Sequence, residues 1–521
     1  MSVDPVHYAR RWKTLAVLSL ALLIIGLDNT ILNVALPSLQ AEFDASSSTL
    51  QWIVDSYLLV FAGLLLTMGT LGDRFGRKVA LQLGLAIFGG ASLGVLFVDS
   101  ANGLIVIRGL MGIGGALIMP ATLSVISNVF PREERAKAIG IWAGMASMGI
   151  GLGPLLGGLL LEYFDWSSVF LVNVPVAAVA LAAGFWLVPE SRDPEPGAFD
   201  FVGAALSIAA LVFLVYGVIE APEMGWTDPT ILGCFGAAIA LAAAFIRWEL
   251  HTPEPMLNLS FFRNPRFSMA SAGISIAFFS LFGAIFALTQ FLQDAYGYSA
   301  LEAGAAMTPL AGGLVLGAVG SIRLAARFGT GRIVAFGLLS LGGLLAFSLT
   351  WAPDMPYWPL GIWFFAIAVS MGMITGPATD SVMGAVPEEK SGVASAMNDV
   401  TRQVAGALGT AVIGSMITSL YGSKIADSVA GLPADAQVAA EDSIGQANAI
   451  AEQLPAGQGA SLATAAADAF TEALAIGFTV AGAVAVAGAV AVKIWLPARH
   501  RTQEAAVVEM PRPYDLREQA A

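Results

Sequence analysis

The sequence predicts an all-α membrane protein of fourteen transmembrane helices, two six-helix bundles with two further helices inserted between them. Three observations carry that reading. Only 12% of the 521 residues are charged and 57% are hydrophobic, whereas soluble domains carry about 25% charged residues; mean hydropathy is +0.75. Apolar runs of the roughly 20 residues that cross a bilayer core recur along nearly the whole chain. Two short patterns also return at a similar offset, as duplicated halves require. Leu71-Gly72-Asp73-Arg74-Phe75-Gly76 has a degenerate echo in Leu324-Ala325-Ala326-Arg327-Phe328-Gly329, and Pro131-Arg132-Glu133-Glu134-Arg135 is echoed by Pro387-Glu388-Glu389-Lys390.

In chain order the apolar runs fall at about 14–37, 50–71, 79–98, 103–128, 136–161 and 166–188, then 200–219 and 230–249. Six more follow at about 267–292, 301–325, 332–351, 358–384, 392–420 and 471–496. Arg10, Arg11 and Lys13 precede the first run in the manner of a signal peptide, but the run continues to Pro37 without a small-residue cleavage site and reads as an uncleaved span. The expected units are an N-terminal bundle at 1–190, two inserted helices with linkers at 191–264, a C-terminal bundle at 265–498 and a cytoplasmic tail at 499–521. A long outer loop, 421–470, is rich in Ala, Gly and Gln and poor in aromatics. It is expected to extend the flanking helices and end in a flexible tip.

Positive charge concentrates on the cytoplasmic side of membrane proteins. With a cytoplasmic N-terminus, Arg74, Arg77, Lys78, Arg132, Arg135, Lys137, Arg323, Arg327 and Arg332 all fall inside, as do both tails, and Lys424 alone falls outside. Arg108 and Arg402 lie within spans. The formal charge of -13 is a poor guide to partners when it is divided between two sides of a membrane; the expected partners are protons, a small molecule and the lipid bilayer, with no nucleic acid, and the expected state is a monomer. Cys234 is the sole cysteine, and His7, His251 and His500 lie far apart, so neither a metal site nor a catalytic triad is suggested. No G-x-x-x-x-G-K-[ST] phosphate loop occurs. No cofactor and no enzyme activity are expected.

Chemistry concentrates in a few intramembrane positions. Asp28, with Asn29 and Asn33, lies inside the first apolar run, where an ionised carboxylate costs a few kcal/mol at least and marks a functional group by default. The alternative is an Asp that only bonds a neighbouring helix. Asp55 follows Trp52 in the second run, and Arg108 lies in the fourth. Depth counting at 1.5 Å per residue allows Asp28, Asp55 and Arg108 to share one wet pocket, burial and the Arg108 charge acting in opposite senses on the acids. Arg108 could equally bond helix carbonyls. The run Gly69, Gly72, Asp73, Arg74, Gly76, Arg77 and Lys78 suits a tight loop with a helix-capping acid. Gly149, Gly153 and Gly157, with Pro154, suit a closely packed helix that can bend, or a static small-residue seam. Phe279, Phe282, Phe286, Gln290 and Gln293 fall on one helical stripe, and Met111, Met145 and Met148 offer adaptable apolar surface. Such a stripe lines a cavity for a bulky amphipathic compound or packs between helices. Asn398, Arg402 and Asp380 are polar positions toward the inner ends of later spans.

Taken together, Gly69 to Lys78, Asp28 to Pro37, Arg108 to Ala116, Gly149 to Gly158 and Trp166 to Pro175 resemble the motifs of the fourteen-span drug:proton antiporter family of the major facilitator superfamily. Gly297 to Pro309 and Gly392 to Gln403 extend the likeness over nearly the whole chain. It implies proton-coupled efflux of lipophilic or cationic small molecules by alternating access, in a cell membrane with both termini cytoplasmic. Asp28, Asp55 and Arg108 would couple protons. Gly69, Gly72, Asp73, Arg74, Gly76, Arg77, Gly149, Gly153, Pro154 and Gly157 would serve conformational change. Asn29, Asn33, Trp52, Met111, Phe282, Phe286, Gln290 and Asn398 would meet the substrate. It also implies a latch between Asp73 and the helix turn at Ser391 to Ala394. Departures at Met111, Ser167, Ser168 and Asp55 bear on the substrate. Alternatives are export of a lipid or a dedicated natural product, or a membrane receptor without transport.

Overall fold

The computed structural model describes residues 5–192, 199–253, 255–386 and 391–496. Among them fourteen helical segments are long and apolar enough to cross a membrane, and no strand occurs. The first unit contains α1 (Pro5–Phe43), α2 (Ser47–Phe75), α3 (Arg77–Gly94), α4 (Ala101–Val129), α5 (Arg132–Tyr163), and the pair α6 (Ser168–Leu171) and α7 (Asn173–Leu187), which together make one span. The inserted helices are α8 (Phe201–Met224) and α9 (Pro229–His251). Then come α10 (Pro265–Gln290), continued by a π-helical turn at Phe291–Ala295, α11 (Ala300–Ala306), α12 (Pro309–Phe328), α13 (Thr330–Phe347) and α14 (Tyr357–Met383). The last are α15 (Ser391–Val429), α16 (Ala434–Asp442), α17 (Ile444–Gln453) and α18 (Ala456–Trp495).

Local chemistry sets the helix boundaries. Ser46, Ser100, Asp200, Asp228 and Asn264 each accept a backbone N–H at a helix start, and Ser299 with Glu302 forms a reciprocal cap. The sequence echo is a structural echo. Gly76 (φ +126) separates α2 from α3 and donates to Gly72 O at 2.9 Å; Gly329 (φ +92) separates α12 from α13 and donates to Ala325 O at 2.8 Å. Only glycine takes such a backbone cheaply. The Pro387 to Lys390 copy of the second repeat lies outside the described residues.

Buried apolar side chains form two cores, one running from Leu15 to Ile219 and the other from Phe267 to Leu496. Phe282, Phe286, Ala407 and Ala411, from α10 and α15, join the first core although they belong to the second half of the chain. These two helices therefore take part in the contact between halves. Large apolar side chains such as Ile239 and Ile322 stay exposed, as lipid-facing positions do.

The 421–470 segment departs from expectation at its tip. The flanking helices do extend, but the tip folds into α16 and α17. Ala440, Ile444 and Ala447 are buried, Tyr421 Oη donates to Ala440 O at 3.1 Å, and Ser443 caps α17. Small side chains let this turn pack closely without the aromatic residues an independent domain needs.

Candidate functional site

The charged centre of the first unit is assembled by four helices. Arg108 on α4 donates from Nη1 to Asp28 Oδ2 on α1 at 2.6 Å and from Nε to Ile53 O on α2 at 3.1 Å. Its guanidinium carbon sits 4.4 Å from the Tyr57 ring centroid. The Arg108 and Asp28 side chains are 2% and 1% exposed. Asn173 on α7 also faces the Asp28 carboxylate. A buried pair offsets its desolvation only with good geometry and further bonds, and Ile53 O and the Tyr57 ring supply them. Arg108 thus does both things the sequence allowed, pairing with an acid and bonding a helix carbonyl.

Asp55 does not join this centre. It is fully buried, and neither carboxylate oxygen has a hydrogen-bond partner among the described residues. The expectation of one pocket holding all three groups is corrected accordingly. Asp55 and Tyr57 are two residues apart on α2, so they point roughly 160° apart, and Tyr57 takes the side that meets α4.

Next to Asp28, α5 packs tightly on α1. A Cβ at Gly149 would stand 2.7 Å from Leu23 O, one at Gly157 would stand 2.9 Å from Ile31 O, and one at Gly153 would overlap Thr30 Oγ1. Pro154 has no N–H, which leaves the Ile150 carbonyl without its helical donor. Thr30 Oγ1 fills the vacancy at 3.0 Å, so α5 runs unbroken from Arg132 to Tyr163. The opposite face of α5 meets the second half: a Cβ at Gly151 would lie 2.6 Å from Ala311 Cβ, and Gly304 abuts Pro154 O. An apolar cavity lies along this seam between Thr30, Ile150, Pro154, Leu281, Leu310 and Met371.

The halves are bonded together at the end that carries α16 and α17. Gln40 Nε2 donates to Ser443 Oγ (2.6 Å), Ser47 N to Asp442 Oδ2 (2.9 Å), Ser415 Oγ to Gln51 Oε1 (3.1 Å) and Gln293 Nε2 to Val34 O (2.9 Å). Burial pushes Asp442 up to about 6; the Ser47 amide opposes the shift and the Glu223 charge adds to it. Beneath this closure is a second cavity lined by Phe286, Gln290, Tyr421, Asp442 and Phe470 among others.

The remaining expected residues are distributed as follows. Phe286 and Gln290 line that second cavity, and Phe282 stacks on Phe278 with centroids 6.0 Å apart. Asn33 donates to Asn29 O at 3.3 Å; Asn29 and Asn398 each keep a buried side-chain oxygen without a partner among the described residues. Trp52 instead donates to Glu220 of α8 at 2.7 Å, and Met111 is fully buried with its sulfur near Ser92 Oγ. Both sit in helix packing, because their sides of α2 and α4 face other helices. Asp73 accepts from Arg77 Nε at 2.7 Å, and Arg74 lies against Phe75. Gly69 approaches Pro120 and Gly72 approaches Ala80. The side chains of Ser391 to Ala394 lie outside the described residues. Sequence reasoning missed Tyr57, Asn173, Thr30, Glu220 and Asp442, whose partners are far away along the chain.

Fourteen candidate membrane spans among the described residues, with a buried charge pair between helices of the first unit, make this a polytopic helical membrane protein. Residues 18–410 match the Major Facilitator Superfamily model, and the chain belongs to that family of transporters rather than to the enzymes. It is 36% identical over 486 residues to the "Multidrug efflux pump LfrA" of Mycolicibacterium smegmatis, covering 93% of this chain and 96% of that one. It is 34% identical over 490 residues to the "Tetracenomycin C resistance and export protein" of Streptomyces glaucescens (92% and 91% covered). It is also 34% identical over 479 residues to the "Methyl viologen resistance protein SmvA" of Salmonella typhimurium (91% and 96%). In fold it is similar to a bacterial homolog of the human lysosomal transporter Spinster in an inward-facing conformation, with TM-score 0.66, 20% identity, and 96% and 99% of the two chains covered.

Proposed function

We propose that this chain exports lipophilic or cationic small molecules from the cell in exchange for protons, as a monomer in the cell membrane with both termini cytoplasmic. The observation that carries the reading is the buried 2.6 Å pair between Asp28 and Arg108, set on the helix that also fills the Pro154 gap of α5. A proton arriving at Asp28 cancels one member of the pair and weakens the tie between α1 and α4. Because Thr30 lies half a turn from Asp28, that change acts on the seam along which α5 meets the second half. Asp55 is the second proton site. We divide the chain into 1–190, 191–264 and 265–498; two buried cores support two bundles, and the first of them also takes in Val215, Val218 and Ile219 of α8, while the basic loops face the cytoplasm.

The names of the relatives support export and a broad or cationic specificity, since methyl viologen is a dication. They also support a second reading, a dedicated natural-product exporter, because tetracenomycin C and methylenomycin A appear among them. Proteoliposomes with an imposed pH gradient test both. Uptake of methyl viologen, or of an aromatic polyketide, into vesicles that are acidic inside should follow the gradient and collapse with a protonophore. Flux indifferent to the gradient would falsify proton coupling, and binding without flux would leave a receptor.

A further inference from the structure

The inserted helix α8 carries two acids on the face it presents to α2. Glu223 is exposed and its Oε1 accepts from Ser48 Oγ at 2.6 Å. One turn deeper, half-buried Glu220 accepts from Trp52 Nε1 at 2.7 Å. One turn deeper again on α2 are Ser56 and Asp55, and Ser56 Oγ and both Asp55 oxygens are buried without hydrogen-bond partners among the described residues. Ser48 and Asp55 are seven residues apart, which places them on one side of α2. The same side meets α8 further down, where a Cβ at Gly63 would stand 2.6 Å from Ile208 Cγ1. Exposure therefore falls stepwise from Glu223 to Glu220 to Asp55. The steps end on a carboxylate with nothing to satisfy it, in a setting where such a group is costly.

We propose that α8 supplies a proton stair from water at the α16–α17 end to Asp55, and that this is a task of the inserted helices. The assignment rests on the reading of Asp55 as a proton site. A hydronium ion gives its proton to the Glu223 carboxylate; the proton passes to Glu220, leaving Glu223 ionised, and from Glu220 through the Ser56 hydroxyl to Asp55, leaving Glu220 ionised. A serine hydroxyl is able both to donate and to accept, as a relay requires, and Ser56 Oγ is unengaged among the described residues. Trp52 holds Glu220 by its N–H and so keeps it available as an acceptor between transfers. Asp442 of α16 is the acid that faces Glu223 and adds to the negative potential at the entrance. Protons can then reach Asp55 while Gln51–Ser415 and Ser47–Asp442 close the way to a solute.

Infrared difference spectroscopy on the full-length protein in lipid, with pH stepped from mildly alkaline to mildly acidic, tests the stair without a substrate. The protonated-carboxyl band lost in Asp55→Asn is the reporter. Glu220→Gln should bring that band to the same final amplitude roughly a hundredfold more slowly, the scale of a missing positioned acid. Glu223→Gln, which keeps the Trp52–Glu220 bond and serves if the first variant fails to fold, should slow it about tenfold because water substitutes at an exposed position. An Asp55 band that rises at the wild-type rate in both variants overturns the stair and leaves Asp55 as a proton site. No band lost in Asp55→Asn removes that reading and the stair together.

Discussion

Each half of the molecule sets a guanidinium beside a carboxylate and over an aromatic ring, yet the two arrangements differ in kind. Arg108 and Asp28 are eighty positions apart, nearly inaccessible and 2.6 Å from each other, with Tyr57 at 4.4 Å. Arg402 and Asp399 share α15, three residues apart, at 3.8 Å; their side chains are 25% and 10% exposed, and Arg402 lies 5.3 Å from the Phe278 ring and donates to Thr379 Oγ1. A pair between helices changes helix packing when it is discharged. A pair on one helix changes only a local contact, so the first half should hold the coupling chemistry.

The largest effect expected is from Asp28→Asn, which should cut gradient-driven flux by about two orders of magnitude; full coupled flux in this variant would place the coupling elsewhere. Arg108→Ala leaves a buried carboxylate unpaired and should cost about 3–5 kcal/mol, read from thermal unfolding in detergent. The double variant Asp28→Asn with Arg108→Ala should recover much of that stability and none of the flux, a non-additivity that isolates the pair.

Next in size, Gly149→Ala pushes a methyl into the α1 backbone and should cost about 1–3 kcal/mol. Thr30→Val leaves the Ile150 carbonyl unsatisfied at a cost of about 1–3 kcal/mol. Both should slow flux while the Asp28–Arg108 bond persists, which tests whether the seam transmits what the pair senses. Asp442 sharpens the comparison from outside the bundle. Its carboxyl is raised to about 6 by burial and by Glu223, so the docked tip binds a proton more tightly than a free chain does. Docking should therefore strengthen as pH falls from about 6 toward 4 and stay level, at its weakest, above about 6. Spin-label distances between α17 and the start of α2 report it, and Asp442→Asn should abolish the pH dependence. The smallest effect on flux belongs to Arg402→Ala, a few-fold loss, with about 1–2 kcal/mol of stability lost along with the Thr379 hydrogen bond; a loss of flux as large as that of Asp28→Asn would erase the distinction between halves.

The spans were legible because crossing hydrocarbon leaves a long apolar record, and the Gly76 and Gly329 turns were legible because their backbone admits little else. Arg108 was visible as a costly group, but its partner was not, since depth alone allowed Asp55 as well as Asp28. Helix phase decides between them. Trp52 read as a substrate contact because nothing in the local sequence announces Glu220, which arrives from α8, nor could a polar, alanine-rich tip show that Asp442 caps a helix almost four hundred residues earlier.

The helix α15 has a further consequence through its length. Its 39 residues span roughly 59 Å at the α-helical rise, about twice the hydrocarbon thickness. Beyond the bilayer it is a stiff lever, and a rocking of about 10° near its base would sweep its far end through roughly 10 Å. Movements too small to follow at the charge pair are thereby magnified where α15 emerges, and a force applied there, by a bound antibody fragment for example, would act on the core with the same mechanical advantage in reverse.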